Sequence, residues 1–186
     1  MAGTSSAPNP DGRLSLAEQV VLALVAEGSP HGFAVARLLA PDGEVGRVYS
    51  VARPAVYRAI DRLVEGGLIE SLGAEPGDRG PKRTPVRVTA AGRRAADGWL
   101  GQPVAHIRDL RTEFLAKLAI LHRQGQDPAA LVEGQISVVE PIVEALADRL
   151  GSASGFDRSL ALWRLRSGQA ALRFLEDLRA ATAPGR

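Results

Sequence analysis

Residues 53–72, RPAVYRAIDRLVEGGLIESL, run directly into residues 73–89, GAEPGDRGPKRTPVRVT, and then into residues 90–94, AAGRR. Pro54 suits the first turn of a helix, where an amide hydrogen would have no intrahelical partner. Gly66-Gly67 suits its end, where a left-handed residue closes the last turn. The spacing predicts a helix of about three turns. Within it Val56, Ile60, Leu63 and Val64 follow i, i+4, i+7, i+8 and make one apolar stripe, while Arg58, Asp61, Arg62 and Glu65 fall on the other side. One face is suited to a core and the other is free for a partner.

Downstream, residues 68–72 and 86–88 have the β-branched or alternating character of two paired strands. Between them Gly73, Pro76, Gly77, Gly80, Pro81 and Pro85 oppose regular structure, and Arg79, Lys82 and Arg83 give the loop its charge. The pattern predicts a basic hairpin, followed by a helix that Thr89 caps and that runs through Arg93 and Arg94 to about Trp99.

Upstream, residues 14–27 carry Leu16, Val20, Val21, Leu24 and Val25 at helical spacing, with Ser15 and Glu18 forming a capping box and Gly28 at the end. A short helix over residues 32–39 follows the Pro30-His31-Gly32 turn and stops at Pro41. Residues 41–51, with Val45, Val48 and Val51, are expected to include a short extended piece. Residues 1–13 are rich in Gly, Ser, Pro and Asn, with too little apolar surface to offset the entropy of ordering them, and are expected to be a flexible leader.

Gly101-Gln102-Pro103 is a plausible boundary, because the pattern beyond it is wholly helical. Val104, Ile107, Leu110, Phe114, Leu118 and Leu121 step by three or four up to Gly125. Asp127-Pro128 then reads as N-cap and first residue of a helix whose stripe runs from Leu131 through Ile136 and Leu146 to Leu150, with a kink expected at Pro141. A last helix over residues 157–181 shows Leu160, Trp163, Ala170, Phe174, Leu175 and Leu178. Long apolar stripes on three helices make either an α-bundle or a dimer seam. The expected organisation is thus a leader (1–13), a first domain (14–100), a helical domain (104–181) and a tail (182–186).

Composition narrows the function classes. At 186 residues the chain can bury one sizeable core or two small ones. It has no cysteine, which removes disulfides, thiolate zinc sites and cysteine nucleophiles. It has neither an apolar run of about eighteen residues nor the charged start and apolar middle of a secretory signal, so the cytoplasm is the default location. Net charge is only +2, but residues 31–95 hold eleven basic against seven acidic residues, whereas residues 96–186 hold eleven of each. The positive excess sits with the predicted helix and hairpin. No G-x-S-x-G, Walker loop, G-x-G-x-x-G or H-E-x-x-H occurs, so neither catalysis nor a cofactor is expected. The histidines His31, His106 and His122 are not at metal-ligand spacing.

Helix, helix, helix, strand, basic loop, strand, helix is the order of a winged helix-turn-helix. The expected fold is therefore mainly α with a small β-hairpin, a winged helix-turn-helix domain followed by an α-helical dimerisation domain. In that arrangement the third helix meets base edges and phosphates in the major groove, and the hairpin reaches the neighbouring backbone or minor groove. The candidate DNA-binding residues are Arg53, Tyr57, Arg58 and Arg62 of the helix and Arg79, Lys82 and Arg83 of the loop. Each has a plainer alternative. Tyr57 lies at the edge of the apolar stripe and suits a core position as well as a phosphate contact. Arg58 and Arg62 have Asp61 and Glu65 within helical pairing distance, and the loop cations suit a solvated surface.

The same residues carry a resemblance. Residues 16–99 resemble the PadR family of bacterial transcriptional regulators: SLAEQVVLALVAEGSPHGFAVARLL is similar to its opening helices, ARPAVYRAIDRLVEGGLIE to its recognition helix with a tyrosine at Tyr57, and GPKRTPVRVTAAGRR to its wing. EFLAKLAIL, residues 113–121, is similar to the start of the longer C-terminal domain of one branch. The resemblance implies a ligand-responsive homodimeric repressor, dimeric through its C-terminal helices and bound to a palindromic operator in double-stranded DNA. It also implies a small planar effector near the dimer interface, which makes Trp99 and Trp163 candidate effector-binding residues, although tryptophan is more often core. Two positions depart from the family pattern: Ala55 stands where a hydroxyl residue is common, and Phe33 where tyrosine is usual. The alternative from another class is a winged-helix protein-interaction module without specific DNA binding.

Overall fold

Ser15 opens the first helix by the local chemistry its sequence predicts. In the computed structural model, which describes residues 13–28, 31–73 and 85–182, α1 spans Leu16–Glu27. The Ser15 N–H donates to Glu18 Oε2 at 2.7 Å and the Glu18 N–H to Ser15 Oγ at 3.4 Å, closing the capping box. Gly28, at φ 115°, ends it in a left-handed turn. The expected leader residues 1–12, the tail residues 183–186 and the loop cations Arg79, Lys82 and Arg83 lie outside the described residues.

α1 is more than a one-sided amphipathic helix. Val20, Val21, Leu22, Ala23, Leu24 and Val25 are all buried, because α2 (Gly32–Leu38), α3 (Arg53–Glu65) and the second strand of the hairpin all pack against it. It is the axis of its unit. Between α2 and α3 the expected extended piece does not form. The Val45 and Gly46 N–H groups both donate to the Leu38 carbonyl, at 3.2 and 2.9 Å, and Val51 N–H to the Leu39 carbonyl at 3.0 Å, so the chain folds over the end of α2. Gly46 permits this, since any Cβ there would run into the Ala40 carbonyl.

α3 begins after Ala52, in extended conformation, with Pro54 in its first turn. Its end is a Schellman closure: Gly67, at φ 68°, donates to the Val64 carbonyl at 3.0 Å and Leu68 to the Leu63 carbonyl at 2.9 Å. The chain emerges as β1 (Ile69–Ser71), antiparallel to β2 (Val86–Val88) in the register Ile69↔Val88, Glu70↔Arg87, Ser71↔Val86. Ile69 and Val86 turn to the core, while Arg87 and Glu70 pair on the outside at 2.8 Å. His31 adds one antiparallel bridge to Pro85. Thr89 then caps α4 (Ala90–Gly101) by accepting the Gly92 N–H at 3.0 Å. A side chain at Gly92 would strike the Leu68 carbonyl, so glycine lets the helix lie against the strand.

The described residues form two compact units, those up to Gly46 with residues 50–96 and residues 47–49 with those from Asp97 onward. In the second, the helical run expected from residue 104 is interrupted. Val104 is held outside any helix by the buried Gln135, whose Oε1 accepts the Val104 N–H at 2.8 Å and whose Nε2 donates to the Val104 carbonyl at 2.9 Å. A 3-10 turn (Ile107–Arg111) follows, and only then α5 (Glu113–Arg123). α6 (Ala129–Ser152) carries Pro141 as a single helix, and Asp127 Oδ1 accepts the Ala129 N–H at 2.9 Å at its start. α7 (Gly155–Thr182) packs along α6, where Gly168 admits the Val143 side chain. Among the described residues no helix is long and apolar enough to cross a membrane.

Candidate nucleic-acid interface

The packing of α1, α2 and β1 around α3 fixes which side of that helix stays open. Val56, Ala59, Ile60 and Leu63 are buried, whereas Arg53, Tyr57, Arg58, Asp61, Arg62 and Glu65 are exposed, as an apolar stripe at 3.6-residue period requires. The open side begins beside α2, and β1 follows the helix after two glycines. A helix presented in this way, with a hairpin after it, has the dimensions to enter a major groove.

Four candidate residues on α3 have distinct surroundings. Arg58 makes no ion pair or side-chain hydrogen bond among the described residues, so neither Asp61 nor Glu65 neutralises it. Arg62 is engaged elsewhere: its Nη1 donates to Glu18 Oε1 at 3.0 Å, 44 positions earlier in the chain, with the Glu18 side chain only 9% exposed. Burial raises the Glu18 pKa, but the Ser15 backbone N–H, the Arg62 guanidinium and the Ser15 hydroxyl together outweigh it and leave the carboxyl below its usual 4.5. The capping glutamate of α1 is thus also the anchor of the last turn of α3.

Arg53 has no carboxylate partner among the described residues. Its guanidinium carbon lies 5.3 Å from the centre of the Phe33 ring and 5.7 Å from that of Tyr57. Both rings are surface groups, 51% and 39% exposed. Tyr57 is thus neither pure core nor free: its ring leans on Gly32, where a Cβ would sit 2.9 Å from Tyr57 Cε1. In the sequence Phe33 stands out only as a departure from a family pattern; its offset of two residues from Val35, which puts a large ring on the opposite side of a short helix from the core, is the signal that singles it out.

The two candidate effector residues differ sharply, and both belong to the second unit. Trp99 is buried; its indole N–H donates to Glu113 Oε1 at 2.9 Å, and the Lys117 ammonium stands 5.0 Å from the ring centre. Lys117, 1% exposed, also donates to the Gln102 carbonyl at 2.7 Å and pairs with Glu113 at 2.9 Å. Burial lowers its pKa more than Glu113 raises it. Trp163 is 70% exposed on α7, with Phe156 and Phe174 also exposed on that helix. One indole is interior and polar-bonded, and the other faces outward. No group of three or more His, Cys, Asp and Glu among the described residues has the geometry to hold a metal ion.

No protein-family model matches the chain, and no curated protein matches it. Among solved structures, it is similar to Bacillus subtilis PadR in complex with operator DNA, at 16% identity and a TM-score of 0.46, with 91% of this chain and all of that one covered. It is similar to smu.1604c from Streptococcus mutans UA159 at 16% identity and a TM-score of 0.43, covering 88% of this chain and 98% of that one. Bacillus subtilis PadR without DNA gives 17% identity and a TM-score of 0.41, covering 95% of this chain and 98% of the other.

Proposed function

We propose that this protein is a sequence-specific DNA-binding transcription regulator of PadR type, acting as a ligand-responsive homodimeric repressor rather than as an enzyme. The observation that carries the reading is the open face of α3: a helix braced by α1 and α2, flanked by an antiparallel hairpin, with Arg53, Tyr57 and Arg58 turned to solvent. Arg58, unpaired among the described residues, has the planar donors that guanine or phosphate recognition uses. The loop cations Arg79, Lys82 and Arg83 would add sequence-independent affinity, and Arg62 would act chiefly through the position it gives α3.

The dimer part of the proposal is supported by α7. Phe156, Trp163, Ala170 and Phe174 recur at seven, seven and four residues along its exposed side, which puts them on one face. Leu165, Gly168 and Leu175 occupy the buried face. A second copy of the same helix would cover this stripe, and a planar effector beside Trp163 or Trp99 would report to it. The expected compartment is the cytoplasm, where an operator is accessible.

Binding to the chain's own upstream DNA, measured by fluorescence anisotropy across a salt series, tests the proposal. Specific binding should weaken steeply with salt, by about 0.9 in logarithmic slope for each phosphate contact. Absent or salt-independent binding would sink it. The same α7 stripe favours a second reading, a protein-interaction module, which predicts a heteromeric complex and no operator footprint.

A further inference from the structure

Two arginines on α3 are held in chemically opposite ways. Arg62 donates one N–H to the Glu18 carboxylate. Arg53 instead lies against the rings of Phe33 and Tyr57, within the roughly 6 Å over which an aromatic face attracts a cation. A ring face takes up no N–H donor, and no described residue accepts one from Arg53, so the five donors of its guanidinium are available for an acceptor from outside. The planar group is thereby oriented without being neutralised.

The geometry points to a phosphate clamp: Phe33 of α2 and Tyr57 of α3 hold the Arg53 guanidinium ready for a backbone phosphate of the bound duplex, with Phe33 as a positioning residue. This rests on the DNA-binding reading and adds to it a residue outside the recognition helix. Phosphate is the assigned acceptor because the guanidinium is held within about 6 Å of two surface rings at the first position of α3, where a helix N-terminus also favours an anion. An arginine reading a base must extend into the groove instead. Tyr57 is fixed in turn by Gly32, whose missing side chain lets the ring close onto α2. The exposure of Phe33, 51% on an otherwise well-packed short helix, then has a function, because its ring is occupied on behalf of Arg53.

A double-mutant cycle with the full chain and its upstream DNA tests the clamp. Phe33→Leu keeps the apolar bulk and removes the ring. It should weaken binding about two- to fivefold, the range of an exposed cation–π contact. Phe33→Tyr, which keeps the ring, should retain the affinity, and Phe33→Leu should have no further effect once Arg53 is alanine. Arg53→Ala should lower affinity equally across operator variants and reduce the salt slope by about 0.9. Additive losses in the cycle would make Phe33 a direct DNA contact, and a loss confined to one base pair would make Arg53 a base reader; either overturns the clamp while leaving the DNA-binding proposal standing. In the free protein, nuclear magnetic resonance should find the Arg53 side-chain protons shifted upfield by ring currents that Phe33→Leu diminishes. Random-coil shifts there would overturn the clamp without reference to DNA. Failure of the unaltered protein to bind DNA removes both proposals together.

Discussion

Replacing Arg62 with methionine removes the guanidinium and keeps much of the stem. What is lost is one charge-assisted hydrogen bond, 3.0 Å long, to a carboxylate that is 9% exposed. Hydrogen bonds to charged groups contribute about 1.5–3 kcal/mol, and exposed ion pairs about 0.2–1 kcal/mol. Because the Arg62 side chain is 44% exposed, solvent screening pulls the value toward the lower range, to about 1 kcal/mol. For a unit of this size that corresponds to a fall in melting temperature of about 4–8 °C. Glu18→Gln should cost somewhat more, since the Ser15 N–H then meets a neutral acceptor, and the double variant should cost less than the sum. The pH dependence has a definite direction. The folded Glu18 pKa lies below 4.5, so the stabilisation is fully present above that value and is lost as pH falls through the folded pKa. The difference between the unaltered chain and Arg62→Met should therefore be constant from neutral pH down to about 5 and shrink in more acid solution. Thermal melts across this range, paired with operator binding, measure both effects. An Arg62→Met variant that melts with the unaltered chain but loses preference at a single base pair would refute the argument, because Arg62 would then be reading DNA instead of anchoring α3.

Gln135→Leu should destabilise the second unit by about 2–4 kcal/mol, because it orphans the buried N–H and carbonyl of Val104, each costing about 1–3 kcal/mol; chemical denaturation measures it, and a loss under 1 kcal/mol would contradict the assignment. Lys117→Met should remove an alkaline dependence of stability. The folded lysine titrates below 10.5 while the unfolded one does not, so the unaltered chain gains stability as pH rises through that window; equal slopes in the two proteins would count against a buried ammonium. Trp163→Ser combined with Phe174→Ser should weaken self-association in sedimentation by at least about tenfold with unchanged helicity, since both side chains face solvent in the single chain, and an unchanged dimer would move the seam elsewhere.

Much of the fold was legible because its signals are local. The Ser15–Glu18 box, the closure at Gly67, the Thr89 cap and the β-branched residues flanking the hairpin each act within a few residues, and each forms where the spacing puts it. Residues 104–110 misled for the same reason: their three-to-four spacing suits a helix, but Gln135, 31 positions later, binds the Val104 backbone and leaves only a 3-10 turn. Likewise the valines of residues 45–51 suit a strand, yet the amides of Val45 and Gly46 find the Leu38 carbonyl and the chain curls. In the candidate interface, the open face of α3 followed from periodicity, whereas the surroundings of its arginines did not.

The ends of α1 and α3, the hairpin, the buried stripe of α3 and the positive excess beside it are readable from the residues alone, because capping, turn chemistry and periodicity depend on backbone geometry over one or two turns. It took the packing of the elements to bring Arg62 to Glu18, to place Arg53 within about 6 Å of both the Phe33 and Tyr57 rings, to bury Trp99 and expose Trp163, and to hold Val104 on Gln135. Apart from Arg53 with Tyr57, one turn apart on α3, those pairings span 20 to 44 positions, and the exposure of each tryptophan depends on which face of its helix a neighbour covers. A long side chain has several partners within reach of its sequence position, and it is the packing of the elements that selects one.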